Sequence, residues 1–179
     1  MFACYSVSQR LVIAVLCSIT WFHHTKATCV DLVKDCGAKG DGSTDDTHSF
    51  HVCQQLASSE GHNGCIYVPP GDFRAVNIAM NVSNIEWNFD NEAVIAPGNM
   101  THSAPLITVG GQNDNDTTLV TNVSLLGTWP GKFTLDISHP QFDPWNVRAV
   151  MFIGGLSHFT IANCRILLAD SVSFDLSIF

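Results

Sequence analysis

From Cys65 onward the chain is written in short apolar runs separated by Gly, Pro, Asn and Asp. The runs are Ile66–Val68, Ile85–Phe89, Val94–Ala96, Leu106–Val109, Val123–Leu126, Phe133–Ile137, Ala149–Ile153, Phe159–Ile161 and Ser171–Phe179. Each is strand-length and bounded by turn residues, so each predicts a β-strand. Upstream the texture differs: Phe50, Val52, Cys53, Leu56 and Ala57 recur at roughly helical spacing and predict one helix from Thr44 to about Ser58. The strands follow one another without a clean sequence repeat. Stacked parallel coils need only inward apolar positions rather than identical repeats, and an antiparallel sandwich uses similar runs and turns, so pattern alone leaves both open.

Before the helix stands Gly37-Ala38-Lys39-Gly40-Asp41-Gly42-Ser43-Thr44-Asp45-Asp46-Thr47. Three glycines allow backbone with positive φ, and Thr44 followed by Asp45 and Asp46 is placed as a helix cap and acidic first turn. With Tyr67-Val68-Pro69-Pro70-Gly71 downstream, this spelling resembles the opening of the pectin-lyase-like proteins, and among them most resembles the polygalacturonases. The stretches Arg148–Ile153, His158–Cys164 and Asp170–Leu176 resemble the coils leading into that family's active site. The resemblance implies an all-β fold, a right-handed parallel β-helix with an N-terminal capping α-helix. A lid is physically required there, because the end of a strand stack exposes unpaired apolar layers.

The resemblance further implies hydrolysis of galacturonosyl bonds in pectin, carried by three aspartates and no metal or other cofactor. The family's Asn-Thr-Asp, Asp-Asp, His-Gly and Arg-x-Lys motifs come after the stretch ending at Leu176, and none of them occurs there in this sequence, so no catalytic residue is assigned. The expectation is a truncated solenoid, residues 28–179 supplying the cap and first coils. The chain also departs from the pattern at Leu125-Leu126-Gly127-Thr128-Trp129-Pro130-Gly131, where many polygalacturonases carry Gly-x-Ile-Asp-Gly-x-Gly. Two other functions stay open: a non-catalytic wall-polysaccharide binder or scaffold, and a lyase-type depolymerase.

Residues 1–27 read as a secretory signal, with Arg10 ahead of the apolar run Leu11–Ile19 and Thr25-Lys26-Ala27 at the cleavage site. That run is far shorter than the roughly 18 residues a spanning helix needs. The protein is therefore expected outside the cell or in the cell wall, soluble and monomeric. Removing the segment leaves six basic side chains (eight less Arg10 and Lys26) against 16 acidic ones, a formal charge of −10. Nucleic acid is excluded as a partner, since phosphate backbones are held by clustered Lys and Arg. An acidic polysaccharide would need a locally basic groove, for which the second half offers Lys132, Arg148 and Arg165.

Five cysteines follow the leader: Cys29, Cys36, Cys53, Cys65 and Cys164. In an oxidising compartment they should pair with one left over. The first pairing expected is Cys53 with Cys65, helix to next strand, and Cys29 with Cys36 is a further possibility. Paired Cys-x-x-Cys motifs for zinc are lacking. Asn-x-Ser/Thr at Asn81, Asn99, Asn115 and Asn122 supplies four glycan acceptors.

Candidate chemistry reduces mostly to structure. Inverting hydrolysis needs two carboxyl groups roughly 6.5–9.5 Å apart. Asp170 and Asp175 are the nearest pair, but odd spacing on one strand points them to opposite faces. Asn113-Asp114-Asn115-Asp116 follows Gly110-Gly111 and reads as an exposed loop. Counted from Asp41, an EF-hand would need Gly and Glu where Asp46 and Val52 stand. A phosphate loop would need a lysine that Gly42-Ser43-Thr44 lacks. His48 and His51 have no third ligand at matching spacing, and Trp87, Trp129 and Trp145 read as packing residues rather than sugar platforms.

Overall fold

The structure is a computed structural model describing residues 28–59, 64–98, 105–110, 119–138, 151–167 and 173–176; for 151–154 and 173–176 the backbone alone is described. Among the described residues, fourteen strands and one helix, α1 (Thr47–Ala57), make a parallel β-helix. The five-stranded sheet holds β1 (Val30–Asp31), β3 (Cys65–Val68), β6 (Ile85–Phe89), β9 (Val120–Gly127) and β12 (Leu156–Ala162). The six-stranded sheet holds β2 (Asp41–Asp45), β4 (Gly71–Ala75), β7 (Ala93–Pro97), β10 (Phe133–Asp136), β13 (Cys164–Leu167) and β14 (Ser173–Leu176). The three-stranded sheet holds β5 (Ile78–Met80), β8 (Ile107–Gly110) and β11 (Met151–Gly154). Every pairing is parallel except β13 with β14. Each full coil visits the three sheets in that order. In the first coil, α1 follows β2 where a third strand would come, and it packs on β1, β3 and β5 as the lid.

Period-2 alternation decides what enters the core. Register aligns Val30, Ile66, Trp87, Leu125 and Ile161 as one inward row, and Phe73, Ile95, Leu135 and Ile166 as another. An aromatic chain links lid to coils: Phe73–Phe50 at 6.2 Å, Phe50–Trp87 at 5.7 Å, Trp87–Phe89 at 6.3 Å and Phe89–Phe133 at 4.2 Å between ring centres. Asn84, Asn122 and His158, at successive register positions, all take φ between 55° and 60°. The Asn122 amide donates to Asn84 Oδ1 at 2.9 Å, so two of the bends are stitched together. Asparagine and histidine are among the side chains that visit this region most readily.

The glycine-rich turn is a strand, which corrects the expected cap. Its polar residues form β2 at the edge of the six-stranded sheet, where solvated side chains are tolerated and blunt an open edge. Thr44 does not cap the helix: its amide and hydroxyl both donate to the Asp41 carboxylate, at 2.7 and 2.8 Å. The helix starts three residues later than expected, after Asp46, and its first turn holds no acid. Asp46 turns its carboxylate back onto the amides of Lys39 and Gly40, while Asp45 accepts from the Thr47 amide. The backbone follows at Gly37, Gly40 and Gly42 with φ of 81°, 58° and 71°. A Cβ on Gly40 would come within 2.9 Å of the Phe73 ring.

The disulfides also differ from expectation: Cys29 pairs with Cys65 and Cys36 with Cys53, at Cα separations of 4.6 and 5.5 Å. Register gives the reason. Val30 lies opposite Ile66, so Cys29 and Cys65 are neighbours on the outward face, since Ile66 and Val68 point in. Cys53 sits on the buried side of the lid, facing the turn that ends at Cys36, and cannot meet a cysteine outside the barrel. Cys164 is buried and outside both bridges.

Two carboxylates in this lid respond oppositely to acid. The amides of Thr44 and Ser43 and the Thr44 hydroxyl hold the Asp41 carboxyl far below the usual range. Burial pushes Asp46 up, against the pull of the Lys39 and Gly40 amides. A depressed pKa contributes stability above its unfolded value that is lost as pH falls through the folded one, and a raised pKa does the reverse. Asp41→Asn is therefore expected to be less stable than wild type at neutral pH. The gap should close as pH drops below about 4, near the ordinary aspartate value. Urea titrations at pH 7 and pH 2.5 measure it, and a gap unchanged with pH would show that Asp41 does not anchor the turn through its charge.

Candidate functional site

Beyond the first coil, whose turn spans 32–40, connections from the five- to the six-stranded sheet are short: Pro69–Pro70, Asp90–Glu92, Thr128–Lys132 and the single residue Asn163. Those flanking the three-stranded sheet include three long ones, 98–106, 111–119 and 137–150, beside the short 76–77, 81–84 and Gly155. Long loops on a rigid frame are where a solenoid builds recognition, which makes the three-stranded sheet the floor of the candidate site. Its inward rows are Ile78 with Ile107, and Met80 with Val109. The row between them, Ala79 and Thr108, alternates outward but is nonetheless buried. Thr108 donates its hydroxyl to Asn77 Oδ1 at 2.7 Å, and Asn77 is held at φ 50°. Helix α1 anchors one side, the Gln54 amide donating to the Ala79 carbonyl at 2.6 Å. The sheet is thus small and apolar with one hydroxyl, it is buried at every position whose side chain is described, and it carries no acid among the described residues.

Every aspartate whose side chain is described is engaged close to home. Asp31 accepts from Val33, Lys34 and the Lys34 ammonium. Asp35 accepts from the Asp31 amide, and Asp90 from Tyr67 and Glu92. Asp136 accepts from Ser138, and Asp72 pairs with Arg74 at 2.9 Å. Arg74 is committed in turn, its Nε donating to the Gly42 carbonyl. A general acid must hold a proton and present it to a leaving group, and these carboxylates serve as local acceptors that close turns. Among the described residues, no group of three or more His, Cys, Asp or Glu side chains is placed to hold a metal ion. Among them also, no helix is long and apolar enough to cross a membrane.

Sequence-predicted residues scatter accordingly. His48 is exposed and His51 half-buried on α1. Asn81 and Asn122 are both exposed, as glycan acceptors must be, with Asn122 in the asparagine stitch. Asn99, Asn115, the Asn113–Asp116 run, Trp145, Arg148, Asp170 and the leader lie outside the described residues. Asp175 is the register partner of Arg165 across the β13–β14 pair. Lys132 ends the connection that leads into β10 and Arg165 stands on β13, the neighbouring strand of the six-stranded sheet, rather than beside the candidate floor. Trp87 is fully buried as packing, whereas Trp129, also expected to pack, is 68% exposed. Proline and glycine after Trp129 were the available signal, because a turn that projects from the frame carries its first residues into solvent.

The model of the rhamnogalacturonase A/epimerase, pectate lyase-like family matches residues 32–86. No curated protein matches the chain. Among solved structures, a 1,3-α-1,4-β-D-galactose-4-sulfate-3,6-anhydro-D-galactose-2-sulfate 4 galactohydrolase superposes with TM-score 0.66 at 26% identity, over 78% of this chain and 30% of its own. A family GH82 iota-carrageenase from A. fortis superposes with TM-score 0.65 at 26% identity, over 78% and 29%. PfbA, a surface adhesin of Streptococcus pneumoniae, superposes with TM-score 0.59 over 78% and 33%, and at 20% identity it speaks for the fold alone. The chain thus spans about a third of the length of these structures. Wound coils, lid and matched stretch agree on a parallel β-helix of the pectin-lyase-like kind, similar to polysaccharide-degrading solenoids, with nothing that singles out the polygalacturonases among them.

Proposed function

We propose that this chain is part of a secreted glycoside hydrolase that acts on an acidic cell-wall polysaccharide, with pectin as the substrate. The observation that carries the reading is the coil-for-coil likeness to enzymes whose names describe cleavage of a charged galactan. The glycine–aspartate turn at the lid and the matched stretch over residues 32–86 support it. The acid–base pair belongs to coils other than those described, because the described aspartates are committed to partners of their own. A second reading, a binder without hydrolytic activity, is favoured by that same commitment.

In gel electrophoresis through immobilised polygalacturonate, the full 179-residue chain should be retarded, and in a reducing-end assay it should release no ends. Absence of retardation overturns the polysaccharide reading. Measurable turnover overturns the placement of the catalytic groups in other coils. Codons past 179 that spell Asn-Thr-Asp and Asp-Asp would favour the hydrolase over the binder.

A further inference from the structure

Two of the four Asn-x-Ser/Thr sequons fall on described residues, Asn81-Val82-Ser83 and Asn122-Val123-Ser124, and the coils hold them differently. Asn81 follows the last residue of β5, in the short connection 81–84 that turns the chain into β6. Its side chain is exposed and, among the described residues, has no hydrogen-bond partner. The connection is anchored on either side of it. Met80 pairs with Val109, the Ser83 hydroxyl accepts from the Thr121 amide at 3.1 Å, and the Asn84 amide donates to the Thr121 carbonyl at 2.8 Å. Asn81 therefore projects from a fixed turn, and a bulky group on its amide nitrogen displaces no contact.

Asn122 is the reverse case. It lies inside β9, which pairs with β6 on one side and β12 on the other. Asn84 precedes it and His158 follows it in register, all three with left-handed backbone. Adjacent strands lie about 4.8 Å apart, so the Asn122 side chain is flanked closely on both sides. Its Nδ2 is also in use, donating to Asn84 Oδ1 at 2.9 Å. Exposure does not separate the two asparagines, since both are exposed, but room around Nδ2 does. A sugar placed on Asn122 before the coils close would stand between Asn84 and His158 and hold the stitch open, so the folded protein is one that escaped it.

We propose that Asn81 carries an N-linked glycan in the folded protein and that Asn122 stays bare. In the transfer, Asn81 Nδ2 bonds to the anomeric carbon of an oligosaccharide carried on a polyprenyl diphosphate. The bond from that carbon to the diphosphate oxygen breaks, Nδ2 gives its proton to a base of the transferase, and the lipid diphosphate leaves. A glycan is bulky and solvated, so this corner, between the three- and five-stranded sheets at the β5–β6 connection, stays in solvent and packs against no partner. The proposal rests on the secreted reading and goes beyond it by fixing which face of the solenoid remains open.

The test expresses the full chain, leader included, in a eukaryotic secretory host. Digestion with peptide N-glycosidase in heavy-oxygen water converts each glycosylated asparagine to a labelled aspartate, which peptide mass spectrometry locates. Asn81 should be labelled and Asn122 unlabelled. Asn81→Gln should lose the mass of one glycan on a gel. Ser124→Ala, which destroys the second sequon while keeping Asn122 and its stitch, should migrate as wild type. Protein recovered from the medium bare at Asn81 overturns the site and leaves the secreted reading standing, and label at Asn122 overturns its exclusion by the stitch. A chain that keeps its leader and stays in the cytosol overturns the secreted reading and the site together.

Discussion

Gly64→Ala is expected to cost about 3 kcal/mol or more, enough to remove much of the stability of a domain this size. Gly64 has φ of 69° and leads into β3. A Cβ placed on it would lie 1.9 Å from the Asn84 carbonyl oxygen in the next coil. The obstacle is backbone, and the Gly64 carbonyl itself accepts from the Glu86 amide at 2.7 Å, so neither coil can yield without losing ladder bonds. Left-handed backbone alone costs an alanine about 1 kcal/mol, and overpacking adds roughly 1–3 kcal/mol. Gly37→Ala separates the two terms: its φ is 81° but nothing lies within 4 Å of the added Cβ, so its cost should be about 1 kcal/mol. Urea unfolding of the two variants side by side measures the contrast. Equal midpoints would mean the first and second full coils do not pack as closely as described.

Phe89→Ala should cost about 3–5 kcal/mol, in the range for emptying a buried aromatic site. Phe89 is fully buried and bridges two rings, Trp87 at 6.3 Å and Phe133 at 4.2 Å. Its register neighbours are Val68 on one side and Gly127 on the other. Gly127 has no side chain to move into the space, and the site has little means of collapsing. Phe89→Leu keeps most of the volume and should lose about 1–2 kcal/mol. Denaturant unfolding reads both. A small loss for alanine would show that the neighbouring coils close over the gap.

Much of the frame was legible because a solenoid writes its core as alternation. Ile85–Phe89 was read at its true boundaries, and Phe133–Ile137, Val123–Leu126 and Leu106–Val109 to within a few residues. The missed strands offer no run of more than three apolar residues. β2 is Asp-Gly-Ser-Thr-Asp at a sheet edge, β4 is Gly-Asp-Phe-Arg-Ala, β1 has two residues, β5 has three, and β13 follows a one-residue turn that hides its start. The helix began late because carboxylates that look like caps were already used inside the turn. Disulfide pairing was illegible for a simpler reason. It depends on which face of its element each cysteine takes, and Cys65 faces out while Cys53 points inward from the lid. For the candidate site, the sequence told which residues could carry chemistry but not where the long connections gather. Only the winding order shows that they border one sheet.

One row of backbone hydrogen bonds has a single vacancy to give. β14 runs against β13, Asp175 opposite Arg165 and Phe174 opposite Ile166, so the outer rim of the six-stranded sheet is already occupied by a strand of reversed direction. A further turn of polypeptide wound onto this stack would need that same berth for a parallel strand. The two arrangements exclude each other, and lengthening the solenoid there requires β14 to let go first.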